Sequence, residues 1–130
     1  MERDGDFLLL PSALLTCGHP DLDKWELMAE KLCSYQRSLY WWIGDIVVFG
    51  EAQMGDDIYQ CFGPGMSSGL IDRCAKVSRA FAASERFPEL SWSQHQLVSN
   101  MDTRQDILNL SLCEGWDTDQ LRAYLKEIKS

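Results

Sequence analysis

Residues 63–81 read GPGMSSGLIDRCAKVSRAF. Gly63-Pro64-Gly65 is a turn by composition, because glycine takes backbone conformations closed to other residues and proline cannot continue a helix. Ser67 or Ser68 then stands where a hydroxyl caps a helix by accepting from a free N–H of its first turn. Leu70 or Ile71, Cys74, Val77 and Phe81 recur at helical steps and mark an inward face. Arg73, Lys76 and Arg79, with Asp72 the one acid among them, mark an outward face. Before the turn, Ile58, Tyr59 and Phe62 fall on a short helix opened by Asp56. A longer helix from about Ser38 to Met54 precedes that, with Leu39, Trp42, Ile43, Ile46, Val47 and Phe49 as a wide apolar face. Residues 43–62, the turn at 63–66 and the helix at 67–81 have the proportions of a helix-turn-helix.

Helical patterning extends in both directions from this unit. Asp21 or Asp23 caps a first helix carrying Trp25, Met28, Leu32 and Tyr35 at steps of three and four. Downstream, residues 82–90 form a loop around Arg86 and Pro88. Ser91 caps a short helix with Trp92, Leu97 and Val98. Asp102 or Thr103 starts another with Ile107, Leu108, Leu110 and Leu112, and Gly115 stops it. Asp117 caps the last, with Leu121, Tyr124 or Leu125, and Ile128 inward, and Lys126 and Lys129 near its negative end. Residues 1–20, with Pro11, Gly18 and Pro20, read as an extended arm whose Phe7 to Leu10 and Leu14-Leu15 lie on a helical body. The expectation is an all-α fold: one compact multi-helix domain over 21–130 of about seven short helices, containing a helix-turn-helix, with the arm at 1–20.

At 130 residues the chain fits one domain able to bury roughly two-thirds of its unfolded surface. Twelve Lys and Arg against twenty Asp and Glu give a net charge of −8, which excludes a nonspecific nucleic-acid coat. The charge is uneven. Residues 1–30 hold seven acids and two bases, whereas residues 63–100 hold three acids and four bases, so the region around the presumed reader is the one with a positive balance. Five cysteines at wide spacing, with no CxxC, point to a reducing cytoplasm and to no zinc ribbon. Cys33, Cys61, Cys74 and Cys113 sit among apolar residues and read as small buried hydrophobes. Phe7 to Leu10 is too short to span a membrane, and the acidic stretch before it is unlike a signal peptide.

No constellation for chemistry stands out. His19 and His95 are the two histidines, and no nucleophile elbow, zinc-protease or phosphate-loop motif is present. Ser91-x-Ser93-x-His95 reads as a helix start with a packed histidine. The expectation is a protein that is not an enzyme, with no catalytic residues, metal or cofactor. The informative surface is the 67–81 helix, since the second helix of such a unit offers its N-terminal part to the DNA major groove. Ser67, Ser68, Asp72, Arg73, Lys76, Arg79 and Arg86 are therefore the candidate DNA-binding residues. The serines and the free N–H groups of the first turn suit a phosphate, and the basic residues suit phosphates or base edges. Arg86 and Arg122 are equally suited to bonding loop carbonyls or pairing with acids.

The order of several short motifs adds to this. Trp42-Ile43-Gly44-Asp45, Gly50-Glu51, Met54-Gly55, Tyr59, Leu90-Ser91-Trp92-Ser93-Gln94-His95-x-x-Val98, Gly115-Trp116 and Leu121-Arg122 resemble a bacterial and phage family with an LSWSHH motif. That family includes regulators similar to the lincomycin-cluster transcriptional activator, and its core resembles the helix-turn-helix of ParB-type partition proteins. Gln94 stands where the first histidine of the pair usually lies. The resemblance runs from about Trp25 to the C-terminus. It implies a sequence-specific DNA-binding regulatory protein of the transcription or partition type, with the 67–81 helix as reader and no enzymatic activity. Trp42, Trp92 and Trp116 are expected to anchor the core. Double-stranded DNA is the expected partner, and a homodimer is expected because many such domains read two half-sites. The alternative is an acidic protein-binding module on the same scaffold. Asp4, Asp6, Asp21, Asp23, Glu26 and Glu30 would then occupy a partner's nucleic-acid-binding surface.

Overall fold

A computed structural model describes residues 2–129, with Glu2 described by its backbone alone. Two compact units are present, residues 1–36 and 37–130. The protein is mainly helical, but it is not all-α. The first unit opens with a three-stranded antiparallel sheet in the order β1 (Glu2–Asp4), β2 (Phe7–Leu10), β3 (Ala13–Thr16). The arm expected to be merely extended is thus a pair of tight hairpins. Asp4 pairs with Phe7 and Leu10 with Ala13, leaving two-residue turns at Gly5-Asp6 and Pro11-Ser12. Gly5 takes φ +58°, the sign that matches the twist of a two-residue hairpin. Phe7 is buried, with its ring edge-on to Trp25 at 5.1 Å.

The helix α1 runs from Leu22 to Met54. Asp21 accepts from the Lys24 N–H at 3.0 Å and so caps it. Two helices were expected here, but Gln36, Arg37 and Ser38 include neither proline nor glycine, and nothing local stops propagation. Gly55, at φ +63°, ends α1, its N–H reaching the Glu51 carbonyl.

The second unit continues through α2 (Asp57–Gln60), a 3₁₀ turn at Gly63–Gly65, α3 (Ser68–Ala80), α4 (Trp92–Val98), α5 (Arg104–Glu114) and α6 (Thr118–Lys129). The expected caps hold α3, α4 and α6. Ser67 accepts from Leu70 N–H, Ser91 from Gln94 N–H, and Asp117 from Gln120 N–H. Thr103 precedes α5 without a side-chain cap, and Gly115 closes that helix at φ +67°.

One buried cluster gathers Ile43, Cys74, Val77, Phe81, Trp92, Val98, Leu108 and Leu121 among others. A smaller one joins Val47, Ile58, Ile71 and Ala75. The face that α1 turns to this core is therefore narrower than the apolar run suggested. Ile43 and Val47 are buried, whereas Leu39, Trp42, Ile46 and Phe49 are exposed.

Glycine decides how close the helices come. A Cβ on Gly44 would overlap the Cys74 carbonyl and the Ser78 hydroxyl of α3, and one on Gly50 would overlap the Ile58 side chain. The backbones of α1 and α3 approach because position 44 has no side chain. We expect Gly44→Ala to destabilise by about 2 kcal/mol through overpacking. Gly69→Ala, on open surface in α3, should be neutral or stabilising by up to about 1 kcal/mol. Urea melts of the two variants check the opposite signs.

Candidate nucleic-acid interface

Helix α3 presents the face expected of it. Ile71, Cys74, Ala75, Val77 and Ser78 are buried, and Asp72, Arg73, Lys76 and Arg79 are exposed. Ser67, Ser68 and Gly69 are exposed at its N-terminus, where the helix dipole and free N–H groups favour an anion. Tyr59 and Phe62, the residues before the turn, pack against the cluster that holds Ile71 and Ala75. The inward face includes Ala75 and Ser78 besides the residues expected.

The basic candidates separate into two pairs. Arg79 bonds Glu51 of α1, and Glu51 also accepts from the Tyr59 hydroxyl at 2.9 Å. Arg86 is engaged more fully. Its two terminal nitrogens reach both oxygens of Asp45 at 2.8 and 2.9 Å, and its Nε donates to the Phe81 carbonyl at 3.1 Å. Its guanidinium lies 4.2 Å from the Trp41 ring centroid. The hydrogen bonds from Arg86 hold the Asp45 carboxyl below its ordinary range, against the opposing effect of its partial burial. Arg86 thus pairs with an acid and bonds a loop carbonyl, the second use open to it. Among the described residues, Arg73 and Lys76 make no ion pair with the chain's own acids.

The Leu90–Val98 motif is interior architecture. Gln94 is buried. Its carbonyl accepts from the Ser91 N–H, and its amide donates to Ser111 Oγ at 3.1 Å and to the Trp116 carbonyl at 2.9 Å. One side chain therefore ties α4 to α5 and to the turn before α6. His95 is fully buried, with Trp41 and Phe81 edge-on at 5.0 Å each. Its Nε2 accepts from the Phe87 N–H at 3.1 Å, so Nδ1 carries the proton and donates to the Ser91 carbonyl at 2.8 Å. Burial pushes the imidazole pKa down, assisted by the nearby Arg86 charge and opposed by the bond to Ser91.

Other expectations change. Trp92 is buried and Trp116 half-buried, but Trp42 is 54% exposed, because the preceding residue, Trp41, is the one turned toward Phe81 and His95. Cys74 is buried, whereas Cys33, Cys61 and Cys113 are exposed. In the acidic first unit, Asp4 pairs with Lys31 and Asp6 with Lys24, while Asp21, Asp23, Glu26 and Glu30 are exposed. Arg122 pairs with Asp119. Among the described residues, no helix is long and apolar enough to cross a membrane. Two contributors went unread in the sequence. Trp41 is hidden by its tryptophan neighbour. Arg104 donates to the Ala80 and Met101 carbonyls and so satisfies the end of α3.

Over 108 residues the chain is 27% identical to the transcriptional regulator NovE of Streptomyces niveus. The aligned region takes in 81% of this chain and 50% of that protein, so the chain spans about half the length of the curated relative it matches. No family model matches the chain, and no solved structure matches it.

The pairing of Arg86 and the protonation of His95 give two checks. Arg86→Ala leaves Asp45 partly buried without its cation and should cost about 3 kcal/mol in a denaturant melt. His95 binds its second proton more readily unfolded than folded. Its contribution is complete above its ordinary value, about pH 6.5, and is lost as pH falls toward its lowered folded value. Unfolding free energy should therefore drop by up to about 1.4 kcal/mol per pH unit below that point. His95→Gln should flatten this slope while lowering stability at alkaline pH. A slope that the substitution leaves unchanged would remove His95 from the explanation.

Proposed function

We propose that this chain is a DNA-binding transcriptional regulator whose α2–turn–α3 segment acts as a helix-turn-helix, with α3 as the reader. The observation that carries the reading is the division of the basic residues. Arg79 and Arg86 are bonded to Glu51 and Asp45, and Arg73 and Lys76 are left on the exposed face of α3 without an acidic partner among the described residues. The likeness to a regulator over 81% of the chain supports it. Ser67 and Ser68 bring the α3 N-terminus to a backbone phosphate. Arg73 and Lys76 follow one and two turns along, within reach of base edges or flanking phosphates. Asp72 excludes phosphate from its own side and accepts from cytosine amino groups. Arg79 and Arg86 hold the reader to α1 and to the loop after α3.

Sequences selected from a random DNA pool at low salt supply the probe. Arg73→Ala with Lys76→Ala should weaken binding to that probe by at least tenfold and lower the salt slope by about two phosphate equivalents, with the circular dichroism unchanged. Unchanged binding of the double variant in a gel shift would overturn the assignment of α3 as reader.

A further inference from the structure

The first unit holds a cavity that the reading of α3 does not use. Its volume is about 240 Å³, a little below the roughly 300 Å³ at which pockets begin to bury drug-sized ligands. It opens between the Gly5-Asp6 turn of the first hairpin and helix α1. Phe7 and Met28 give it a buried apolar floor, and Leu27, 56% exposed, gives it a wall. Trp25 packs edge-on against the Phe7 ring and restrains that floor. Two ion pairs stand at the rim. Lys24 meets Asp6 and Lys31 meets Asp4, and all four residues line the cavity. Positions 24, 28 and 31 follow helical steps of four and three, so both lysines and Met28 share one face of α1. The lysines start about 10 Å apart along the helix axis, with Met28 between them.

We infer that this cavity binds a small aromatic molecule of no net charge, with a hydroxyl or amide group at each end of its ring. Three observations select that ligand. The floor joins an aromatic ring to a thioether, and both make favourable contacts with a further ring. The lining set of two ammonium and two carboxylate groups sums to zero charge. An anion would also meet the acidic balance of residues 1–30, and a cation would meet both ammonium groups. Each ion pair keeps further N–H donors on its lysine and further acceptor sites on its carboxylate. A hydroxyl or an amide both donates and accepts, so it bonds to either member of a pair without breaking it. One para-substituted ring, with a hydrogen bond at each end, spans the distance between the two pairs.

The probe is 4-hydroxyphenylacetamide, with 4-hydroxyphenylacetate and tyramine as its anionic and cationic counterparts. Methyl NMR of the whole chain, labelled at methionine, reports the site, and Met28→Leu assigns the Met28 signal. The amide should shift that signal with a Kd on the order of 1 mM, as suits a ligand of this size. Met66 and Met101, in the second unit, should not move. Each charged counterpart should bind about threefold more weakly or worse. Asp4→Asn leaves Lys31 without its acid and should make the acetate the preferred ligand. Lys31→Gln should make tyramine the preferred one. Both substitutions fall on exposed ion pairs, whose loss costs little stability. Leu27→Ser removes the wall and should weaken amide binding about fivefold with circular dichroism unchanged. No shift of Met28 at about 10 mM amide, ten times the expected Kd, overturns the proposal. Shifts at Met66 or Met101 in its place overturn it too. So does a wild-type preference for either charged counterpart, or a preference that both charge variants leave unchanged. Each of these results leaves α3 as reader untouched, because the site lies wholly within the first unit.

Discussion

The bidentate pair between Asp45 and Arg86 is the constraint on which the second unit depends. Asp45 sits on α1 beside Gly44, where the Cys74 carbonyl and Ser78 hydroxyl of α3 leave no room for a side chain. Arg86 comes from the loop after α3 and also bonds the carbonyl of Phe81, where that helix has ended. One guanidinium therefore holds α1, the α3 terminus and the following loop in register. Trp41 covers it on one side, and the same tryptophan meets Phe81 and His95. Removing water from around the pair strengthens it, while the bonds to both carboxylate oxygens offset the cost of that removal. Through His95, the aromatic cluster reaches the Phe87 N–H and the Ser91 carbonyl, so the start of α4 is placed by the same group of contacts.

The pairing also changes what the acidity of the chain means. The slightly positive balance of residues 63–100 suggests a basic patch. Two of its four bases are in fact neutralised by Glu51 and Asp45, which belong to the acidic stretch before it. What remains on α3 is Arg73 and Lys76 next to Asp72. Two charges supply a modest electrostatic pull on a phosphate backbone, and each neutralised phosphate carries its own share of the salt dependence. In the proposed DNA-binding role, two such charges would have to act against a net charge of −8.

Helix ends and the exposed face of α3 were legible because they rest on local chemistry. Ser67, Ser91, Gly115 and Asp117 act where their side chains or their lack of one dictate, and the 3.6-residue spacing of Ile71, Cys74 and Val77 determines which way α3 turns. The β-meander was obscured because Phe7-Leu8-Leu9-Leu10 is apolar at every position, so it lacks the alternation that announces a half-buried strand. The informative signal was the two-residue turn at Gly5-Asp6. Which acids hold Arg79 and Arg86 is not legible in the sequence, because Glu51 and Asp45 lie 28 and 41 positions away, a separation no spacing rule spans. Trp41 and Trp42 are adjacent, and periodicity alone does not say which of two neighbouring tryptophans turns inward. Arg86 chooses, since its guanidinium stacks on Trp41.

The same ambiguity explains why the second half of α1 reads as one wide apolar face. A helix that faces one core needs a single stripe, and a second stripe costs solubility unless it is covered. In α1 the two can be told apart by residue type. The core side carries Gly44 and Gly50, which admit the α3 backbone and the Ile58 side chain, together with the buried Ile43 and Val47. The outer side carries Leu39, Trp42, Ile46 and Phe49, all large, with no glycine among them. Close backbone approach demands small residues, and a face without that constraint accepts bulky ones. The sizes of the side chains thus distinguish the face of α1 that meets α3 and Ile58 from its outer face. A mixture of the two faces is what produced the single wide apolar pattern in the sequence.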